Sequence, residues 1–289
     1  MDFWHKSIEV KFFKEALKNF ASPAQLFYQL NGAYLAYAPK GKCTKGYTLQ
    51  ARNALVGRYT ENWSANFLQP IANRLGLYAV HNVVCPALGL TNVTCADIAF
   101  CTTKEHNQPS QNIKLIFEIK MSIVNNYRFT QSSGELSFIG DYSTHKGVPS
   151  ILRSDSMLKA IGKAINIRVA GAQVAHVPII VLGNSPISNS YSDKVDRLKQ
   201  AGIIQSFLSI YPKPTEKALK VTPLKAFQTF DDYAELETFL HDLVRTDMHF
   251  FSAMIPKKRL SKLITIAAKQ ATETAKVEKF LELLKKTAT

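Results

Sequence analysis

The segment 113–123 constrains the fold most strongly, because its apolar and polar side chains alternate. In an extended strand Leu115, Phe117, Ile119 and Met121 share one side, and Ile116, Glu118, Lys120 and Ser122 share the other. The apolar side must pack against other elements to leave water. The other side carries a carboxylate and an ammonium group among apolar neighbours, which costs several kcal/mol unless the charges are paired or bind a cation. The segment therefore predicts a buried sheet that holds a charged site.

The segments around this strand predict an α/β fold, in which helices flank a mixed β-sheet. Helical spacing of apolar residues covers 52–75 and resumes after Ser154, while a polar stretch without regular period spans 125–153. Short apolar runs typical of strands lie at 78–84, 93–101, 177–182 and 203–210, and a short helix is predicted at 193–201. The predicted core order is helix, three strands, helix, strand, and such an order buries its apolar surface in a sheet covered by helices.

The chain divides into three predicted regions. Residues 1–48 are predicted to form a helical arm, 49–215 the core with the sheet, and 216–289 a helical, basic region. A chain of 289 residues is long enough for one large domain or for a core with an appendage.

The charge balance favours a polyanionic partner. The chain has 36 Lys and Arg against 22 Asp and Glu, which gives a net charge of +14. Such an excess is typical of proteins that bind nucleic acid. It also occurs, less often, in proteins that bind anionic membranes. No apolar run is long enough to predict a transmembrane helix, and the N-terminus is charged, so we expect a cytoplasmic protein without membrane association.

Motif patterns exclude several enzyme classes. The four cysteines, Cys43, Cys85, Cys95 and Cys101, lack zinc-site spacing and are expected to be structural thiols in a reducing compartment. The chain also lacks the glycine-rich dinucleotide and P-loop motifs, the serine-hydrolase elbow and the HExxH motif. We therefore expect no small-molecule cofactor.

A second charged strand residue accompanies Glu118 and Lys120. Asp97 lies in the apolar run 95–100, and if this strand lies alongside the first, all three side chains can meet on one face. Two carboxylates and a lysine can hold Mg²⁺ and orient a water molecule at a phosphodiester. The alternative is an ordinary ion pair in a sheet, with Asp97 as a strand-end carboxylate.

These residues and the order of the elements resemble the PD-(D/E)XK nuclease superfamily, and within it the type II restriction endonucleases. The resemblance covers roughly 52–210, although Ala96 replaces the proline of the motif before Asp97. It implies that Asp97 and Glu118 bind the metal and that Lys120 positions or activates the attacking water. It further implies Mg²⁺-dependent cleavage of double-stranded DNA to 5′-phosphate and 3′-hydroxyl ends by a homodimer at a palindromic site, in a prokaryotic cytoplasm.

Many members of this superfamily add an acidic residue from the helix before the sheet. Glu61 is the matching candidate here, and its alternative role is a solvated carboxylate on a helix face. A second E-x-K pattern, at Glu9 and Lys11, falls in a helical segment without an aspartate-bearing strand before it. We therefore do not expect it to form a site.

Polar side chains after the Glu118 strand are candidates for DNA contacts. They are Asn125, Arg128, Gln131, Lys146 and Arg153, and loops beside an active site often carry groove-reading side chains. Lys257, Lys258 and Arg259 form a second candidate, for phosphate contacts. The alternatives are a solvated loop and a charged helix start. At the level of function, the alternatives are a repair or recombination nuclease of the same superfamily and a DNA-binding protein without catalytic activity.

Overall fold

The computed structural model describes residues 2–41, 49–171, 174, 176–211, 218–246 and 257–286, with the side chains of Lys257 and Lys285 excepted. Cys43 lies outside these ranges. The helices are α1 Lys6–Asn19, α2 Pro23–Leu26, α3 Gln50–Arg74, α4 Ser154–Arg168, α5 Ser192–Gln200, α6 Tyr233–Arg245, α7 Lys257–Ala267 and α8 Glu273–Lys285. The strands are β1 Tyr28–Leu30, β2 Ala33–Leu35, β3 Tyr78–Val83, β4 Ala96–Cys101, β5 Ile113–Lys120, β6 Asn126–Thr130, β7 Glu135–Gly140, β8 Ile179–Gly183, β9 Ser206–Ser209 and β10 Phe227–Thr229.

The main sheet is mixed and has six strands in the order β10-β9-β8-β5-β4-β3. The neighbours β3, β4 and β5 are antiparallel, whereas β5, β8, β9 and β10 run parallel. One face packs against α1 and α3 through residues such as Phe13, Ile71 and Phe117. The other packs against α4 and α5 through residues such as Ile116 and Ala164. This arrangement confirms the predicted α/β class with a mixed sheet flanked by helices.

The stretch 125–153 is more regular than its sequence predicts. It contains β6 and β7, which complete a second, antiparallel sheet in the order β1-β2-β6-β7. Gly134 adopts the left-handed region, with φ of +69°, and closes the turn between these strands. Strand β6 is only five residues long and begins with an asparagine, so its alternation is too short to be recognised in isolation.

Other regions of the chain contain strands that the sequence did not predict. The N-terminal region contains β1 and β2 in addition to its helices, and the C-terminal region contributes β10 to the main sheet. Pro70 does not break α3, although a proline within a helix costs about 3 kcal/mol. Phe67, Leu68 and Ile71 are buried on either side of it, and their packing offsets that cost. No helix in the described parts of the chain combines the length and apolarity that a membrane span requires.

The N-terminal helix is fixed to the core by a buried carboxylate, Glu9, whose side chain is fully inaccessible. The Glu9 carboxylate accepts hydrogen bonds from Trp4 Nε1 at 2.9 Å, Val124 N at 2.6 Å, Asn125 N at 3.1 Å, Asn125 Nδ2 at 2.8 Å and the Tyr127 hydroxyl at 2.8 Å. Burial raises the pKa of Glu9, and the hydrogen-bond donors oppose that shift. The second E-x-K pattern thus lies on a helix, as expected, and Glu9 connects α1 to the segment between β5 and β6.

Candidate active site

The register between β4 and β5 brings Asp97 and Glu118 to one face of the main sheet. Ile98 pairs with Phe117, and both side chains lie in the core on the side of α1 and α3. Because side chains alternate along a strand, Asp97 and Glu118 point to the opposite side, toward α4. The main-chain N–H of Ile119 donates to Asp97 Oδ2 at 2.7 Å and fixes the orientation of that carboxylate.

Lys120 belongs to the same group, as the E-x-K spacing predicts. It lies two residues after Glu118 on β5, and its Nζ donates to Glu118 Oε1. The same Nζ lies 3.3 Å from the carbonyl oxygen of Ile119. The structure therefore brings Asp97, Glu118 and Lys120 together on one face of the sheet.

A second lysine, Lys163 of α4, completes the group and was not predicted from the sequence. Its Nζ lies 2.9 Å from Asp97 Oδ1 and 2.5 Å from Glu118 Oε2, so it bridges the two carboxylates. The helical spacing offers a signal for Lys163, because it lies three residues after Ala160 and four before Ile167. Both of these residues are buried, so Lys163 belongs to the face of α4 that packs on the sheet. Only the packing of α4 on the sheet brings this lysine to Asp97 and Glu118.

Burial makes the charges of this group strongly interdependent. The side chains of Glu118, Asp97, Lys120 and Lys163 are 8%, 15%, 21% and 21% exposed. Burial raises the pKa of Glu118, the Asp97 charge adds to this shift, and both lysines oppose it. Burial disfavours the charged form of Lys163, but the two carboxylates outweigh this effect and raise the pKa of Lys163 above its usual value. Two negative and two positive charges thus balance in a largely dry site.

The donor set fits a hard divalent cation that keeps part of its hydration shell. Glu118 Oε2 and Asp97 Oδ1 both face the Lys163 ammonium, at 2.5 Å and 2.9 Å, so the two oxygens converge on one point. No three His, Cys, Asp or Glu side chains in the described ranges cluster closely enough to hold a metal by themselves. Mg²⁺ needs no such cluster, because it commonly binds through one or two carboxylates, with water and substrate phosphates as its other ligands.

Glu61 does not join this group in the structure, which corrects the expectation for this residue. Its Oε2 lies 3.2 Å from Nε2 of His81 on β3. His81 pairs with Ile98, and Ile98 faces the α3 side of the sheet. Glu61 and His81 therefore lie on the face opposite to Asp97 and Glu118. The helix before the sheet covers the face that does not carry the charged group.

A cleft with a volume of about 710 Å³ opens beside Lys120, at the end of β5. The first turns of α3, the segment 146–150 and the start of α4 form its walls. Its basic lining residues are Arg52, Lys120, Lys146, Arg153 and Lys159. Its acidic lining residue is Asp155, which lies 3.4 Å from Arg153 Nη2 and 3.1 Å from Lys159 Nζ. The cleft is therefore positively charged, and Lys120 connects it to the Glu118 carboxylate.

The candidates for DNA contacts occupy different environments. Lys146 and Arg153 are exposed and line the cleft, while Arg128 is exposed on β6 and Gln131 in the turn after it. Lys258 and Arg259 are exposed at the start of α7, and the side chain of Lys257 lies outside the described part.

The expectation that Asn125 contacts DNA is wrong, because its side chain is fully buried. Its amide donates to Glu9, and its carbonyl oxygen accepts from the Tyr211 hydroxyl at 3.3 Å. A base edge has no access to this amide in the folded chain. Asn125 therefore has a structural role beside Glu9.

Comparison of the chain with protein-family models, with curated proteins and with solved structures finds no match.

Proposed function

We propose that this protein is a Mg²⁺-dependent endonuclease that cleaves double-stranded DNA at specific sites. The observation that carries the proposal is the buried pair Asp97 and Glu118, whose partner Lys120 also lines a basic cleft. The two carboxylates need Lys120 and Lys163 to offset their charge in this buried site, and a protein that only binds DNA has little use for such a group. The net charge of +14 supports a polyanionic substrate.

Each residue has a distinct role in the proposed reaction. Asp97 and Glu118 would hold the metal, which would supply a Lewis acid that offsets charge on the phosphate and the leaving oxygen. Lys120 donates hydrogen bonds from the edge of the cleft, where it can hold a water molecule in line with the phosphorus. Attack by that water breaks the P–O3′ bond, leaving a 5′-phosphate and a 3′-hydroxyl, as the resemblance to restriction endonucleases implies.

The proposal extends to a homodimer that acts on palindromic duplex sites in a prokaryotic cytoplasm. Two-fold symmetric sites match two-fold symmetric proteins, and such dimers cut both strands with equivalent active sites. A second candidate function, a repair or recombination nuclease, uses the same charged group and the same cleft. The two candidates differ in the pattern of DNA products.

Incubation of the full chain with unmethylated plasmid or phage DNA and Mg²⁺ tests this proposal. Discrete fragments are expected, and a chelator should abolish them. An Asp97→Ala protein purified in parallel controls for contaminating nucleases. A smear of products would favour the repair nuclease, and DNA that is shifted but not cut would favour the binding protein.

The cleft residues provide a further prediction about DNA affinity. Replacing Lys146 and Arg153 together by alanine should weaken DNA binding and reduce the slope of log K against log salt by roughly two, because two phosphate contacts are lost. Fluorescence anisotropy over a salt series measures both quantities. Lys114→Ala removes an exposed lysine at the other end of β5 and should leave the slope unchanged. Equal slopes for all three proteins would place the DNA outside the cleft.

A side chain that contacts a base edge affects site discrimination, whereas one that contacts a phosphate affects overall affinity. An arginine bidentate to guanine contributes roughly 1–3 kcal/mol of discrimination between sites. If Arg153, Lys146 or Arg128 reads a base, its replacement by alanine should reduce cleavage of the true site far more than non-specific binding at matched salt. A parallel fall of both quantities would identify a phosphate contact instead.

A further inference from the structure

Lys163 occupies the position between the two carboxylates where a divalent cation would be bound. Its Nζ lies 2.9 Å from Asp97 Oδ1 and 2.5 Å from Glu118 Oε2. Mg²⁺ binds carboxylate oxygens at about 2.1 Å, so a cation on Glu118 Oε2 would lie within about 4.6 Å of this ammonium. An ammonium group and a divalent cation at that separation repel one another strongly in a site with little water.

The charge balance of the site also indicates that Lys163 and a divalent cation do not occupy it together. The four charged side chains are neutral as a group when both lysines are present. Adding a divalent cation while both lysines stay would leave two uncompensated positive charges. If Lys163 leaves, one positive charge remains, and a single phosphodiester neutralises it.

We propose that Lys163 is the counterion of the metal-free site and that a divalent cation displaces its ammonium from Asp97 and Glu118. This inference rests on the proposed metal-dependent function. The Lys163 side chain is 21% exposed, so its flexible stem has a route toward solvent when the carboxylates bind the cation. Lys163 is thus a positioning residue, because it holds the two carboxylates together while the metal is absent.

Metal titration without DNA tests this role independently of cleavage. Lys163→Met keeps the length and helix propensity of the side chain but removes the competing charge. We expect Lys163→Met to bind Mn²⁺, a probe that takes the same oxygen ligands, at least tenfold more tightly than the wild type in isothermal titration calorimetry. A lysine with only a structural role would give equal or weaker metal binding after its removal, and that result would overturn the inference.

Lys159→Met is the matched control for metal binding. It removes the same charge from the same helix about one turn away, where the ammonium contacts Asp155 instead. Its Mn²⁺ affinity should equal that of the wild type. If both variants bind Mn²⁺ more tightly, the effect is a general change of charge, and the specific role of Lys163 is excluded.

A measurement on the wild type covers the case in which Lys163→Met does not fold. Amine labelling followed by mass spectrometry should show Lys163 reacting several-fold faster with Mg²⁺ than without it, while Lys159 is unaffected. An unchanged or slower reaction of Lys163 would overturn the displacement.

The outcomes for the two proposals are distinguishable. A wild type that binds metal and cleaves DNA, with no tighter binding in Lys163→Met, overturns the role of Lys163 alone. Absence of metal binding in both proteins overturns the inference together with the proposed metal-dependent function. Metal binding by Lys163→Met without DNA cleavage by the wild type supports the counterion role and overturns the proposed nuclease function.

Discussion

Glu118→Ala is expected to reduce Mg²⁺-dependent DNA cleavage by more than a hundredfold. The substitution removes a proposed metal ligand, takes away the carboxylate that pairs with Lys120 and leaves Lys163 with Asp97 alone. Loss of such a ligand costs on the order of 3 kcal/mol or more in the activation barrier. Asp97→Ala and Lys120→Ala should have similar effects, because each removes a different part of the same group.

Single-turnover cleavage, measured beside DNA binding at matched salt, separates catalysis from affinity. DNA binding by these variants should stay close to that of the wild type. Glu61→Ala is the matched carboxylate control, since Glu61 lies on the other face of the sheet with His81. Its cleavage rate should stay within a few-fold of the wild-type rate. Near-normal cleavage by Glu118→Ala would contradict the assignment of the site.

Glu9→Ala should lower the free energy of unfolding by about 3 kcal/mol or more. The substitution leaves buried donors on Trp4, Asn125 and Tyr127 without an acceptor, and each unsatisfied donor costs about 1–3 kcal/mol. Urea unfolding followed by circular dichroism measures the change, and the slope with denaturant should be unaltered.

Glu15→Ala provides the matched control for Glu9→Ala on the same helix. The Glu15 side chain is 46% exposed and lies 3.9 Å from Lys11, so its removal should cost less than about 0.5 kcal/mol. Similar losses for the two variants would show that Glu9 does not anchor α1.

The shared face of Glu118 and Lys120 is a local property, and the sequence predicted it. Side chains alternate in any strand, so two residues spaced by two lie on one side regardless of the rest of the fold. Helix α4 and strand β8 were predictable for the same reason, since their apolar periods depend on near neighbours. The position of Asp97 opposite Glu118 required only the assumption that β4 and β5 are adjacent.

The partners of these residues depend on contacts between distant segments. Asn125 belongs to a polar stretch, yet the approach of Glu9 from more than a hundred residues earlier buries it completely. Glu61 has the spacing of a site residue, but α3 packs on the opposite face of the sheet from the charged group.

The residue pattern alone predicts an α/β fold with a charged pair in a buried strand, because strand and helix periods are set by adjacent residues. Three features emerge only when the elements pack together: Lys163 bridges Asp97 and Glu118, Glu61 pairs with His81 on the other face, and the basic cleft opens beside Lys120. These features depend on which face of the sheet each helix covers. That choice follows from the packing of side chains far apart in the chain, which no local spacing encodes.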